Sequence, residues 1–260
     1  MHLLSYYTLR LGLRGMIFLT LLMVSMIVLN NPSRLYASSV DFYSINSPPP
    51  GVKSLEPLIG KWWNWWENHP SKIANNWPQC LKADGGIIGN NQHLVFTPNT
   101  ALAAENNANA RNQKCQISSN QLLYLTVYPG ECSTIFGSKP PAGEFPDIKS
   151  TAGLLQCAQD VNKVIKKMQI KVDGQDVSSH IIRQTTTQPF KWILKPDNAD
   201  DWKAPIAGGN NTSMAENYYL LFKPLPVGDH TIELEVIRQP LQANQPVEHD
   251  VAKWNFKVTP

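Results

Sequence analysis

Half of this chain's eight tryptophans fall within seven residues, Lys61-Trp62-Trp63-Asn64-Trp65-Trp66-Glu67. Wound into a helix at about 100° per residue, Trp62, Trp63, Trp65 and Trp66 share one arc of roughly 160°. Leu55, Leu58 and Ile59 project onto that arc, and Lys61, Asn64 and Glu67 onto the opposite side. The pattern predicts an amphipathic helix over about 55–68. Ser54 is placed to cap it, and Pro57 is accommodated in the first turn, where backbone N–H groups lack helical partners. Pro70 ends it. Each tryptophan buries about 150–250 Å². At about 25 cal/mol per Å², four of them contribute on the order of 20 kcal/mol as an upper limit. An aromatic face this heavy has to be covered. The expected cover is a β-sheet; the alternative is that Trp62, Trp63, Trp65 and Trp66 form a ligand-binding platform for sugar rings or a partner. Each buried indole N–H needs an acceptor.

The start of the chain reads as a leader rather than as part of the fold. Arg10 and Arg14 precede an uncharged apolar run from Met16 to Leu29. That run has the length of a signal-peptide core and falls short of the roughly 20 residues needed to span a bilayer. Ala37-Ser38-Ser39 supplies small residues for cleavage. Residues 1–38 are therefore expected to be a signal peptide, with an uncleaved N-terminal anchor as the alternative and the one route to a membrane. Residues 39–53 include Ser47-Pro48-Pro49-Pro50-Gly51 and read as a stiff, extended tether. Residues 54–260 read as a single domain. The leader also accounts for the charge. Arg10, Arg14 and Arg34 are the only charged residues before Asp41, so 20 of the 23 basic residues remain against 20 acidic ones. A neutral chain without a basic block is not built to track phosphates, which argues against nucleic acid as a partner.

Cys80, Cys115, Cys132 and Cys157 all lie beyond the leader. An even count in an exported chain points to disulfides. Of the three pairings, Cys80–Cys115 with Cys132–Cys157 closes the shortest loops, 35 and 25 residues. Each is worth about 3–4 kcal/mol in the chain-entropy view. No C-x-x-C spacing favours zinc.

Between these landmarks the chain reads mostly as β. His93 to Thr97 is a short strand, and Leu122 to Tyr128 is apolar and aromatic enough to be buried on both faces. Asn75 to Asn91 reads as turns and Ala101 to Gln113 as a polar loop or short helix. Ser150 or Thr151 caps a second helix, predicted over 152–167 with Leu154, Leu155, Ala158, Val161, Val164 and Ile165 at helical spacing. Strands follow at Met168–Val172, His180–Gln184, Phe190–Leu194, Tyr218–Phe222, His230–Ile237 and Trp254–Val258, with Asp173-Gly174 as a hairpin dipeptide. Short strands divided by Gly/Pro turns imply an antiparallel β-sandwich, Ig-like or jelly-roll-like, stapled by disulfides and carrying two helices.

The chain resembles a family of exported bacterial and archaeal proteins of uncharacterised function. The matching features are Trp62-Trp63-x-Trp65, Cys80, Val95-Phe96, Cys115, Glu131-Cys132-Ser133, Val172-Asp173-Gly174, and Leu221-Phe222-Lys223-Pro224-Leu225 leading to Gly228-Asp229-His230-Thr231-Ile232. The chain departs from the family's Gln-Gly and Val-Trp-Phe signature, reading Gly89-Asn90-Asn91-Gln92-His93-Leu94-Val95-Phe96 there. The resemblance brings no known reaction, so no catalytic residue is carried over. The Gly-Asp-His-Thr-Ile turn is also similar to the late hairpin of Ig-like modules, which bears on fold rather than function.

Little in the sequence points to chemistry. Gly130-Glu131-Cys132-Ser133 lacks the second glycine of a nucleophile elbow. Asp197, Asp200 and Asp201 are candidate oxygen ligands for Ca²⁺, the alternative being a hydrated loop; no other cofactor is called for. Glu248-His249-Asp250 is a weaker metal candidate, read otherwise as an exposed turn. Asn210 and Asn211 head overlapping glycosylation sequons, placed in a loop. The expected function is a non-enzymatic extracytoplasmic module that binds carbohydrate or an envelope protein at the cell surface. The alternatives are a secreted hydrolase acting on polysaccharide and a structural envelope component.

Overall fold

The computed structural model describes residues 40–67, 83–97, 112–134, 150–193, 210–239 and 247–260, all within the unit Val40–Pro260. Two helices, α1 (Glu56–Glu67) and α2 (Thr151–Asn162), accompany eleven strands among these residues. The strands are β1 (Ala83–Ile88), β2 (Gln92–Phe96), β3 (Asn112–Ser118), β4 (Leu122–Ser133), β5 (Ile165–Val172), β6 (Gln175–Asp176), β7 (Ile182–Thr185), β8 (Phe190–Ile193), β9 (Asn210–Phe222), β10 (Gly228–Arg238) and β11 (Glu248–Thr259). They form two sheets. The first runs β1-β2-β4-β9-β7, with β8 also paired to β9; the second runs β3-β11-β10-β5-β6. The mostly β, two-helix, disulfide-stapled sandwich is therefore what the chain forms. Each sheet carries one parallel pair, β2 with β4 and β3 with β11, among antiparallel ones.

The sheets meet through a buried cluster. Leu123, Leu125 and Val127 of β4 and Leu220 and Phe222 of β9 pack with Ile170 of β5, Ile232 and Leu234 of β10, and Trp254 and Phe256 of β11. The outer face of the first sheet is covered as well. Leu55, Leu58, Ile59, Trp62 and Trp63 of α1 join Leu94, Phe96, Leu122, Tyr124, Tyr219 and Leu221 in a second cluster. Covering on both sides is why β4 reads as a continuous apolar run rather than an alternating one. The second sheet is covered on one face only. Its other face is solvated and internally paired, Lys167 with Glu235, His249 with Glu235, and Lys253 with Glu233.

The tryptophan helix begins as expected. Ser54 Oγ accepts from the Glu56 backbone N–H at 3.2 Å. Trp62 is fully buried; its indole N–H donates to the Thr97 carbonyl at 2.9 Å, and that of Trp63 to Asn217 Oδ1 at 3.2 Å. Trp62 stacks on Trp66 at 5.6 Å, meets Trp63 edge-on at 5.0 Å and lies 6.4 Å from Trp65 between ring centroids. Trp65 in turn reaches Phe96 of β2 at 6.0 Å.

Helix α2 starts on its predicted cap, Ser150 Oγ accepting from the Gly153 N–H at 3.0 Å. It covers the far part of the first sheet's inner face, where Leu154 and Cys157 meet Cys132 of β4 and Met214 of β9. The Cys132–Cys157 disulfide fastens it there. Gly130 of β4 makes the contact close: a Cβ at this position would stand 2.8 Å from the Ala158 carbonyl oxygen and 2.7 Å from Asn162 Oδ1. Gly130→Ala is therefore expected to cost about 1–3 kcal/mol by overpacking, read as a shift of the urea midpoint. A neutral result would mean that α2 sits further from the sheet.

Several expectations are corrected. Helix α2 stops at Asn162 rather than near residue 167, because Ile165 and Lys167 pair with Arg238 and Ile237 of β10, so that β5 starts before the expected Met168. Strand β4 runs through Pro129 to Ser133. At Pro129 it pairs with Asn217 of β9, while β2 has already ended opposite Tyr124, so proline sits where β2 no longer needs a donor from the strand. Strands β1 and β3 arise where turns and a loop were expected. Strand β9 begins at Asn210, so Asn210 and Asn211 are not in a loop but pair with Ile193 and Trp192 of β8. Residues 40–53 are not a free tether. The Tyr43 N–H donates to the Leu221 carbonyl at 2.8 Å, Lys223 N–H to that of Asp41 at 2.9 Å, and Asn90 N–H to that of Pro50 at 3.1 Å. The Asp173-Gly174 turn is as read, with φ of 50° and 81°.

Candidate functional site

Residues opposite each other in register share a face of a sheet. Down the β4–β9 pair the outer face reads Tyr124/Leu221, Thr126/Tyr219, Pro129/Asn217, Glu131/Ala215 and Ser133/Ser213. The register slips at Val127, which lets Val127 and Tyr128 both join the inner core while the outer face continues at Pro129. The first of these rows is apolar or aromatic and lies in the cluster beneath α1. From Thr126 onward the face turns polar. Thr126, Ser133, Ser213 and Asn217 are nonetheless fully buried.

The polar strip is held in place from three sides. Trp63 of α1 fixes the Asn217 carbonyl oxygen. Strand β7 supplies Gln184, whose Oε1 accepts from the Tyr219 hydroxyl. Thr97, just past β2, accepts the Thr126 N–H on its Oγ1 at 3.3 Å and donates its own N–H to the Tyr124 carbonyl at 3.0 Å. Tyr124 stacks on Tyr219 at 4.6 Å. Burial pushes the Tyr124 hydroxyl well above the usual tyrosine range; Tyr219 adds to the rise and the Asn217 side chain offsets part of it. Burial likewise raises Tyr219. Both stay neutral donors at any physiological pH. Thr126 Oγ1, Ser133 Oγ and Asn217 Nδ2 have no hydrogen-bond partner among the described residues. Such a set of neutral hydroxyls, amides and rings can exchange hydrogen bonds with a hydroxyl-bearing molecule once the strip, fully buried in this structure, is opened to it, since a hydroxyl both donates and accepts.

A second polar cluster, on the inner face, is centred on Glu216. Glu216 accepts from Arg183 Nη2 at 3.0 Å, Thr185 Oγ1 at 2.9 Å and Asn162 Nδ2 at 3.2 Å, tying β7 and α2 to β9. This carboxylate is structural.

Of the four rings considered as a platform, Trp62 and Trp63 are core residues with their faces taken up by the sheet and by each other. Trp65 and Trp66 are half-buried against the same cluster. Cys132 and Cys157 are bonded as paired from the sequence. Cys115 is also disulfide-bonded; its expected partner Cys80 lies outside the described residues. So do Asp197, Asp200 and Asp201. Glu248 and Asp250 both turn to Arg238, at 2.6 and 2.9 Å, and His249 to Glu235 at 2.8 Å, so these three side chains do not converge on one point. They open β11 rather than forming a turn. Thr126, Gln184, Ser133 and Asn217 were not singled out from the sequence. The available signal was Asn217 itself, a polar residue inside the apolar run Met214–Phe222.

No family model matches the chain, and no curated protein matches it. Among solved structures it is similar to a cysteine protease inhibitor from Entamoeba histolytica, at 12% identity over 57% of this chain and 86% of that one, with a TM-score of 0.21. It is also similar to amebosin, at 11% identity over 64% of this chain and 96% of that one, with a TM-score of 0.19. Likeness at that level carries no argument about fold or function.

Proposed function

We propose that this protein is a non-enzymatic, extracytoplasmic binding module whose polar strip on the first sheet takes a neutral, hydroxyl-rich ligand of the oligosaccharide type. One observation carries the reading. Under α1 the outer face is sealed with apolar side chains, yet beside it three buried polar atoms, Thr126 Oγ1, Ser133 Oγ and Asn217 Nδ2, have no partner among the described residues. Each such group costs about 1–3 kcal/mol relative to a satisfied or apolar one. A face selected only for sealing would not retain them; a face selected to meet hydroxyl groups would. The leader-like residues 1–38 and the Cys132–Cys157 disulfide support an extracytoplasmic location.

The test separates binding from architecture. Thr126→Val and Ser133→Ala remove hydroxyls that bond no described residue, so stability is expected to stay within about 1 kcal/mol of the parent or to rise. Oligosaccharide affinity, followed through tryptophan emission, is expected to fall about tenfold for the pair, a change of about 1.4 kcal/mol. Loss of stability without loss of affinity would assign the hydroxyls to the fold. Release of shortened sugars would replace the proposal with a hydrolase.

A further inference from the structure

We infer that His230 is a pH-operated clasp, closed when its ring carries a proton, that ties together two turns of the second sheet. Two motifs that stand apart in the sequence meet there: Val172-Asp173-Gly174, between β5 and β6, and Gly228-Asp229-His230-Thr231-Ile232, at the start of β10. His230 is buried, 8% exposed. Its Nδ1 lies 2.7 Å from Asp173 Oδ2, and its Nε2 lies 2.9 Å from the Pro226 carbonyl oxygen. A backbone carbonyl only accepts. The Asp173 carboxylate, whose other oxygen takes the Thr231 N–H at 2.7 Å, accepts as well. A neutral imidazole has one N–H and one lone pair, whereas an imidazolium has two N–H groups. Only the charged ring fills both contacts. In either neutral tautomer one nitrogen lone pair is set against an oxygen lone pair.

Both acceptors are held in place without the ring. The Asp173 N–H donates to the Thr231 carbonyl at 2.8 Å, which pins the β5–β6 turn to β10. Leu225, beside Pro226, is buried in the core between the sheets. Loss of the proton therefore costs a bond rather than exchanging one. Strand β11 sets Phe256 opposite His230. The neighbouring ionisable pair, Asp229 with Lys257, lies on the other face of the sheet, as does Lys171 of β5. Lys223, in the connection that carries Pro226, pairs with Asp41 at 3.4 Å. Among the described residues Asp173 is thus the charged group bonded to the ring. The direction of the pH effect follows. The protonated ring makes two bonds in the folded chain and the neutral ring makes one. The clasp stabilises the fold in acid, and that stabilisation is lost as pH rises through the range where an imidazole discharges, about pH 5 to 8. Once it opens, the connection between β9 and β10 is held to the β5–β6 turn less firmly.

Asp173→Asn tests the assignment, because an amide changes the pattern of donors. Its oxygen still accepts from Thr231, and asparagine tolerates the positive φ of 50° at this position. Its NH2 group donates to Nδ1, and the neutral ring then fills both contacts by donating from Nε2 to Pro226. His230→Gln removes the titrating ring altogether and serves as the second variant. Between about pH 5 and pH 8 the melting temperature of the whole chain is expected to fall about 3 °C further in the parent than in either variant. Titrations of the other histidines are common to all three proteins and cancel in that comparison. Long-range 1H–15N NMR of the folded parent at about pH 5 is expected to show two N–H groups on the His230 ring. A parent profile that either variant reproduces, or a His230 ring with a single N–H at that pH, would overturn the clasp.

Discussion

Replacing Trp62 by alanine is expected to lower the unfolding free energy by about 3–5 kcal/mol, the largest effect of any tryptophan on α1. Trp62 is fully buried, stacks on Trp66 and meets Trp63 edge-on. Its loss also strips the buried Thr97 carbonyl of its indole donor, and that orphaned group adds to the cavity cost. Urea denaturation followed by far-UV circular dichroism measures it. Trp66→Ala is expected to cost roughly half as much or less, because that ring is half-buried. Equal losses at the two positions would mean that α1 is rotated about its axis from the orientation described.

Removing the Cys132–Cys157 bridge with a double alanine substitution is expected to cost about 3 kcal/mol, as the closed loop spans 25 residues. The bridge joins β4 to α2 beside Leu154 and Met214, adding to the Asn162 hydrogen bonds that tie the end of the helix to Glu216 of β9. Thiol counting supplies a sharper check. Cys115→Ser should expose a thiol at Cys80 and none at Cys132 or Cys157. A reactive Cys132 in that variant would overturn the pairing.

How far the sequence speaks depends on where each element finds its stabilisation. Helix α1, its Ser54 cap and the Asp173-Gly174 turn are decided by local spacing and backbone preference, and all three are legible. Strand β4 is legible as doubly buried because its own residues are apolar throughout. Strand β1 is not. Ala83-Asp84-Gly85-Gly86 has little strand preference, and the strand forms because β2 lies antiparallel to it across the Gly89-Asn90-Asn91 turn. Gly85 is suited to that place, since a Cβ would stand 3.0 Å from Leu94. Strand β3 is polar apart from Cys115 and Ile117 and is held at the sheet edge by a parallel partner more than a hundred residues away. The polar strip was hidden for a related reason. Thr126 and Asn217 belong to different strands, and Ser133 reaches their face only through the register slip at Val127. No window along the chain contains that juxtaposition.

The four neighbouring indoles of α1 have a spectroscopic consequence. With centroid separations from Trp62 of 5.0, 5.6 and 6.4 Å, they act as one coupled chromophore rather than four separate ones. Near-ultraviolet dichroism and intrinsic emission from this protein are thereby weighted towards one end of the first sheet. A melt in which that exciton signature disappears ahead of the β-sheet band would record α1 lifting off while the sandwich beneath it stays folded.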